Sequence, residues 1–411
     1  MKIALAGFGL EGRASYDYWN TPGNEVVIVD EREQLEDLPL GAKTLLGSGV
    51  LSGLASFDLV IRTPGLRLDK IITNGKIWSS TNEFFLKCPA PIIGVTGTKG
   101  KGTTSSLITS ILRAAGRTVH LVGNIGTPAL TELGKIQPDD VVVFELSSFQ
   151  LWDLKRSPHV AVVLGIEPDH QDVHTSMEEY VEAKGNIARY QTEKDIIVFN
   201  DTNDLSKKIA GYSKAEPEPY PFAIDDLKSA LQIPGEHNVE NASAAVAAVK
   251  EYVTDPALLR EGLGAFTGLP HRLKFVREVG SVQYYDDSIA TTAGSALAAV
   301  RSFTQPKLIL LGGHEKGGDY TELMKECAKR NVHIIAYGAN RHMLKQLSEE
   351  YGVLCDVNNG DMSAVVAAAA ARARPGDIVI LSPAAASFDM FKNYADRGDQ
   401  FIAAVGRLKA E

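Results

Sequence analysis

Cysteine is scarce in this chain, with three residues in 411, at Cys88, Cys327 and Cys355. Their spacing forms neither a zinc-binding pair nor a disulfide framework, which fits a reducing compartment. Long hydrophobic runs are also missing. Stretches such as VVVFEL and KLILLGG are strand-sized and far short of a membrane span, so no membrane insertion is expected. There is no low-complexity tract and no short internal repeat. Positive charge is in deficit: 42 Lys and Arg against 51 Asp and Glu leave a formal net charge of -9. Nonspecific nucleic-acid binding is therefore not expected. Anionic small molecules stay open, because local cations and backbone N–H groups can hold them. The start, MKIALAGFG, enters a strand and a glycine turn at once, so no leader segment is expected. The remainder, 44% apolar and 23% charged, reads as a cytoplasmic enzyme of two or three domains.

Short β-branched runs alternate with helical stretches throughout, the pattern of α/β units with parallel sheets. Three blocks emerge. Residues 1–89 hold KIALAG and EVVIVD; residues 90–267 hold PIIGVTG, VVVFEL, HVAVVLGI and DIIVFN; residues 268–411 hold VQYYDD, KLILLGG, HIIAYG and DIVILSP. Residues 201–236 are polar and proline-containing and read as poorly regular, before the Ala-rich helix NVENASAAVAAVK.

GFGLEG places Gly7, Gly9 and Gly12 in the G-x-G-x-x-G register after a strand, and Asp30 closes the next strand. This pattern fits a dinucleotide, with the acid on a ribose hydroxyl. It fits any other diphosphate equally, since small residues and a helix N-terminus are all it requires. In the second block, GVTGTKGKGTT looks like a phosphate loop. Its outer glycines, Gly94 and Gly100, are one position too far apart for the common pattern, and Gly102 stands where a hydroxyl normally follows the lysine. Gly97, Gly100 and Gly102 leave N–H groups open, Lys101 adds a cation, and Thr103 or Thr104 could supply the hydroxyl. Glu145 ends a strand, where a carboxylate suits Mg²⁺ or simply meets solvent. GIEPDHQDVH gathers Asp169, His170, Asp172 and His174 in one loop, and Lys184 sits in a charged helical stretch. Taken singly, these read equally as ordinary polar surface.

Taken together, GVTGTKGKGTT, GNIGTPAL, ELSSFQL, EPDH, GEHNVENASAA, GLPHR, DDSIATT, GGHEKGGDY and LSPAAASFDMFKNYADRGDQF resemble the motifs of Mur ligases, in the same order and across all three blocks. The resemblance implies a Rossmann-like N-terminal domain, a central P-loop ATPase domain and a Rossmann-like C-terminal domain. It also implies an ADP-forming acid–amino-acid ligase of peptidoglycan precursor synthesis. ELSSFQL, DSIATT and the LSPAAASFDMFKNYADRG stretch are similar to the type that adds glutamate, expected as the D-enantiomer, to UDP-N-acetylmuramoyl-L-alanine. ATP and two Mg²⁺ ions are the implied cofactors, and a monomer the implied state.

Matched position by position, the resemblance assigns the ATP phosphates to Gly97, Thr98, Lys99, Gly100, Lys101, Gly102, Thr103 and Thr104. Magnesium falls to Thr103, Glu145, His170 and Lys184, the last as a carbamate. His237, Asn238, Asn241, Arg272 and Asp287 are placed around the rest of ATP. Gly9, Leu10, Glu11, Glu31 and Arg32 would meet the UDP moiety, which displaces NAD from the first block. Asn124 and Ser147 would meet the muramoyl part, and Thr291, Lys316, Ser382 and Phe388 the glutamate. Three departures stand out. Ile289 replaces a lysine of some relatives, Gly102 replaces a hydroxyl, and Glu11 sets an acid beside the expected diphosphate. The chain is also short for the type. Two rivals remain: a folylpolyglutamate synthase-like ligase, whose phosphate loop GTKGKGTT resembles closely, and a non-catalytic nucleotide-binding scaffold of the same fold.

Overall fold

The computed structural model describes residues 1–170, 173–314 and 317–409. It contains three sheets, one in each stretch of the chain where a block of strands was expected. The first is β1 (Lys2–Ala6), β2 (Glu25–Asp30), β3 (Lys43–Leu46), β4 (Leu59–Arg62) and β5 (Lys76–Ser79), in the order β3-β2-β1-β4-β5. The second is β6 (Ile92–Thr96), β7 (Val119–Gly123), β8 (Val141–Glu145), β9 (Val160–Val163), β10 (Ile196–Asn200) and β11 (Glu216–Tyr220), in the order β11-β10-β9-β6-β8-β7. Every pair in both sheets is parallel. Strands such as IIGVT and VVVFE are buried at every residue, as two-sided burial in a parallel sheet requires.

The third sheet comprises β12 (Lys274–Val279), β13 (Val282–Asp286), β14 (Lys307–Gly312), β15 (His333–Tyr337), β16 (Cys355–Val357) and β17 (Ile378–Leu381), ordered β12-β13-β17-β14-β15-β16. Only β12 and β13 pair antiparallel. Gly280 and Ser281 join them with φ of 58° and 60°, as the two-residue hairpin with both centres left-handed requires.

Residues 201–236 are more regular than expected. They form a helix (Asp204–Ala210), strand β11 and a helical turn (Asp225–Lys228). The prolines that argued against structure, Pro217 and Pro219, lie on an edge strand that pairs only with β10. An edge position leaves alternate N–H groups unused, so proline is tolerated there.

Packing divides the chain into two compact units, Met1–Ala230 with Val239–Leu263, and Leu231–Asn238 with Gly264–Glu411. The first unit contains two sheets because they share a core. Ile3, Leu5 and Ile28 belong to the same apolar cluster as Val142, Phe144 and Ala161, and the Phe84 and Phe144 rings meet edge to face at 5.4 Å. Polar bonds reinforce that joint. Arg62 at the end of β4 is fully buried; it donates to the carbonyls of Thr63, Pro64, Leu66 and Phe149 and pairs with Asp153 at 2.6 Å. Asn82 donates to the Asp153 carbonyl and accepts from the Lys155 N–H. Arg62→Ala would leave four carbonyls and a mostly buried carboxylate without their donor. It is expected to destabilise the first unit by about 3–5 kcal/mol, read as an earlier transition in urea.

Candidate active site

The chain leaves β6 in the middle of the second sheet and turns through Gly97 and Gly100 into the 14-residue helix Lys101–Ala114. Gly97 has φ of 153°, and a Cβ there would lie 2.6 Å from the Leu164 Cβ. Gly100 has φ of 83° and would meet the Asn241 Oδ1 at 2.3 Å. Neither position admits a side chain. The turn therefore brings backbone without side chains at Gly97 and Gly100 to a helix N-terminus, at the carboxyl end of parallel strands where anions bind. Thr98 is fastened on both sides of its hydroxyl, donating to the Glu167 carbonyl and accepting from the Glu167 N–H. Lys99 is exposed and pairs with the Glu167 carboxylate.

Two lysines meet on this turn. The Lys101 Nζ donates to the carbonyls of Gly97 and Thr98, at 3.1 and 2.9 Å. The Lys184 Nζ donates to the same Gly97 carbonyl at 2.9 Å and to the Thr96 hydroxyl at 3.4 Å. Lys184 is 1% exposed. Burial pushes its ammonium far below the ordinary lysine value, and the Lys101 charge pushes in the same direction. Glu145, at the end of β8, is also buried. Its Oε1 accepts from the Asn124 Nδ2 at 3.1 Å, and its Oε2 is buried with no hydrogen-bond partner among the described residues. Such an oxygen fits a hard cation. Thr103 and Thr104 are buried on the first turn of the helix, with the Thr104 hydroxyl 3.3 Å from the Asn241 Oδ1. No cluster of three or more His, Cys, Asp or Glu side chains suited to a metal occurs among the described residues. His170 is exposed with φ of 52°, 3.6 Å from the Asp169 carboxylate. His174 is instead buried, stacked on Phe149, with its Nε2 on the Ser148 hydroxyl. Asp172 lies outside the described residues.

In the first sheet, the turn after β1 leaves Leu10 78% exposed at the start of the helix Leu10–Trp19, and nothing lies within 4 Å of where a Gly9 Cβ would be. Asp30 is occupied, since it accepts from the Phe8 N–H and from Arg32, whose bonds hold its carboxyl down at about 2. Glu31 is exposed beside Lys70. Glu11 turns inward, accepting from the Ser80 hydroxyl and the Gln150 amide. Ser147 caps the short helix Ser148–Leu151 together with Gln150.

In the second unit, Arg272 is exposed on a bend between His271 and Leu273, whose φ values are 59° and 44°. Two neighbouring aspartates staple that bend. Asp286 bonds to the His271 Nδ1 at 2.7 Å, and Asp287 accepts from the Leu273 N–H and from the Ser382 hydroxyl. Asp287 and Ser382, expected to touch ATP and glutamate, are thus buried against each other. Arg397, 0% exposed, anchors the next loop through the Ser288 hydroxyl and carbonyl and the Ala385 carbonyl. Phe388 is 70% exposed and Thr291 partly so; Lys316 lies outside the described residues. His237 is exposed at the start of the helix Glu236–Ala248, and the Asn238 amide bonds to the Pro234 carbonyl.

The family model described as Mur ligase middle domain matches residues 95–225, and that described as Mur ligase, glutamate ligase domain matches residues 271–385. The UDP-N-acetylmuramoylalanine–D-glutamate ligase of Acetivibrio thermocellus is 36% identical, covering 100% of this chain and 97% of its own. The chain belongs to the Mur ligase family. That alignment extends over 452 positions, more than the 411 residues here, so the relative carries segments this Mur ligase lacks. Among solved structures, UDP-N-acetylmuramate–alanine ligase of Thermotoga maritima is similar in fold, with a TM-score of 0.63, 16% identity and 99% of each chain covered. Folylpolyglutamate synthase of Mycobacterium tuberculosis gives a TM-score of 0.56 at 16% identity, covering 78% of this chain and 94% of its own.

Residues missed in the sequence are mostly supports: Arg62, Asn82, Gln150, His271 and Arg397. A lone arginine ending the apolar strand LVIR, and another in the helix Tyr394–Arg407, were the available signals.

Burial pushes the Asp287 carboxyl up to about 7. An unfolded aspartate ionises near 4, so between about 4 and 7 the folded state holds the extra proton. Stability of the second unit therefore falls as pH rises through that window. Asp287→Asn keeps an acceptor for Leu273 and removes the titration. Its stability relative to wild type is expected to grow from pH 4 to 7 and then level, measured by urea unfolding at each pH.

Proposed function

We infer that this Mur ligase joins the amine of D-glutamate to the alanyl carboxylate of UDP-N-acetylmuramoyl-L-alanine, with ATP converted to ADP and phosphate. The observation that carries the reading is the convergence of Lys101, Lys184 and a Glu145 oxygen without a partner among the described residues around a phosphate-loop turn. The name of a relative that matches the whole chain at 36% identity supports the choice of substrates. A folylpolyglutamate synthase-like activity is supported more weakly, by a fold likeness over 78% of this chain at 16% identity.

A carboxylate resists nucleophiles, so its oxygen first takes the γ-phosphoryl group of ATP, releasing ADP and giving an acyl phosphate. The glutamate amine then attacks the carbonyl carbon. The tetrahedral adduct expels phosphate, loses a proton and becomes the amide. Most of the catalysis is positioning and charge neutralisation. The turn at 97–104 supplies N–H groups to the phosphates. Lys101, which rests on loop carbonyls, exchanges them for phosphate oxygens. The proposal includes Mg²⁺ at two sites, held by Thr103 and Glu145 and by His170 and Lys184. Bound there, Mg²⁺ neutralises the approach of two anions. Lys184 suits this role as a carbamate, because a buried lysine with a depressed pKa offers the neutral amine that adds CO₂. In the first sheet, Leu10, Gly9 and Arg32 would receive the UDP end, with Glu31 at its margin. Asn124 would reach the muramoyl part while it holds Glu145. In the second unit, Arg272, His237 and Asn238 would serve ATP, and Thr291, Phe388 and Lys316 the glutamate. Three unpaired cysteines fit the reducing cytoplasm assumed here, and a monomer completes the proposal.

Purified enzyme is expected to release ADP and phosphate only when ATP, UDP-N-acetylmuramoyl-L-alanine and D-glutamate are all present. Release with L-glutamate and tetrahydrofolate instead would replace this reading with the folylpolyglutamate one. Lys184→Ala is expected to lose ligation by at least about a hundredfold, the scale of a lost catalytic charge contact. A short-chain carboxylic acid should restore part of it. Near-wild-type turnover in that variant would remove the carbamate from the mechanism.

A further inference from the structure

Glu11 was expected to be awkward, as an acid beside a diphosphate. Its surroundings give it another use. Both carboxylate oxygens are taken inside the first unit: the Ser80 hydroxyl donates to Oε2 at 2.5 Å, and the Gln150 Nε2 donates to Oε1 at 2.7 Å. Gln150 is 2% exposed, and its other end is equally committed. Its Oε1 accepts from the Ser147 N–H at 2.9 Å and from the Ser147 hydroxyl at 3.1 Å, while its own N–H donates back to that hydroxyl at 3.2 Å. The amide thus has a single workable orientation, oxygen toward Ser147 and nitrogen toward Glu11. Ser147 in turn lies two residues beyond Glu145, and the intervening Leu146 is tied to β6 through the Val95 carbonyl and the Thr96 hydroxyl.

We propose that Glu11 is a positioning residue, which sets the loop 146–150 in register with the turn after β1 through the Gln150 amide. The proposal rests on the assignment of the UDP end of the substrate to that turn and of its muramoyl end to the neighbourhood of Ser147. A long substrate gains affinity from both ends only when the two half-sites are held at the right spacing. Glu11 follows the exposed Leu10 directly, so one helical turn carries both the surface for the UDP end and the anchor for the other end. At 2.7 Å the Gln150 Nε2 bond to the Glu11 carboxyl has the short length of the stronger class of hydrogen bonds. The fold does not depend on the link, because Arg62 and Asn82 hold residues 149–155 independently.

The test is a set of single exchanges and a swap. Glu11→Ala is expected to raise KM for UDP-N-acetylmuramoyl-L-alanine about tenfold or more, with KM for ATP changed less than about twofold. Gln150→Glu sets two carboxylates together and should be at least as impaired. The double variant E11Q/Q150E restores one amide and one carboxylate with the bond direction reversed, and the carboxylate introduced at position 150 can still accept from Ser147. It is expected to return KM to within about threefold of wild type. A swap no better than either single variant would overturn the proposal, as would an unchanged KM in Glu11→Ala. Amide hydrogen exchange at Ser147, followed without substrate, keeps the two readings separate. Faster exchange in Glu11→Ala, reversed in the swap, supports the link even if the wild-type enzyme rejects the UDP substrate. Unchanged exchange removes the link even if ligation proceeds.

Discussion

Two lysine Nζ atoms donate to one carbonyl oxygen, that of Gly97, and much of the candidate active site can be understood from that crowding. Like charges at such separation repel strongly in a low-dielectric interior. The Asp169 and Glu145 carboxylates offset part of that repulsion, and loss of a proton, arrival of an anion or conversion of one cation into an anion would relieve more of it. Burial and the neighbouring Lys101 charge both press on the proton of the enclosed Lys184, while Lys101 is less deeply buried. The Gly97 backbone conformation and the Leu164 side chain against it fix the carbonyl in place. The resting loop is thus already arranged for a negatively charged guest.

The same economy governs the supports. Several buried charges in this protein are fastened to backbone carbonyls and N–H groups at loop ends, where they shape bends that carry candidate site residues. Arg62 holds the segment beyond Ser148, Arg397 holds the Ser288 loop, and Asp286 and Asp287 hold the strained bend that presents Arg272. A left-handed backbone at His271 and Leu273 persists because hydrogen bonds on either side leave it no alternative.

Most of the strands were legible in the sequence, because buried parallel strands read as unbroken β-branched runs. The strand β11 was not, since its prolines signal a loop unless one knows that it lies at an edge. The glycine turn between β6 and its helix was legible from glycine spacing, whereas the burial of Lys184 was not, because its helix looks solvated in sequence yet buries that side chain completely. Asp287 and Ser382 were assigned to ligands by position in a motif. Their side chains face each other, a relation between β13 and β17 that no local pattern encodes. Glu11 shows the same limit, since its partners lie 69 and 139 residues away in sequence.

The prolines of β11 have a consequence for the protein among its neighbours. Glu216 donates its N–H inward to the Asp195 carbonyl, so Pro217 and Pro219 fall on the alternate, outward side. That rim of the central sheet offers no N–H at two successive outward positions. A passing strand from another chain finds no ladder to extend there. The prolines that made this segment hard to read also keep the sheet from growing by intermolecular pairing at that rim.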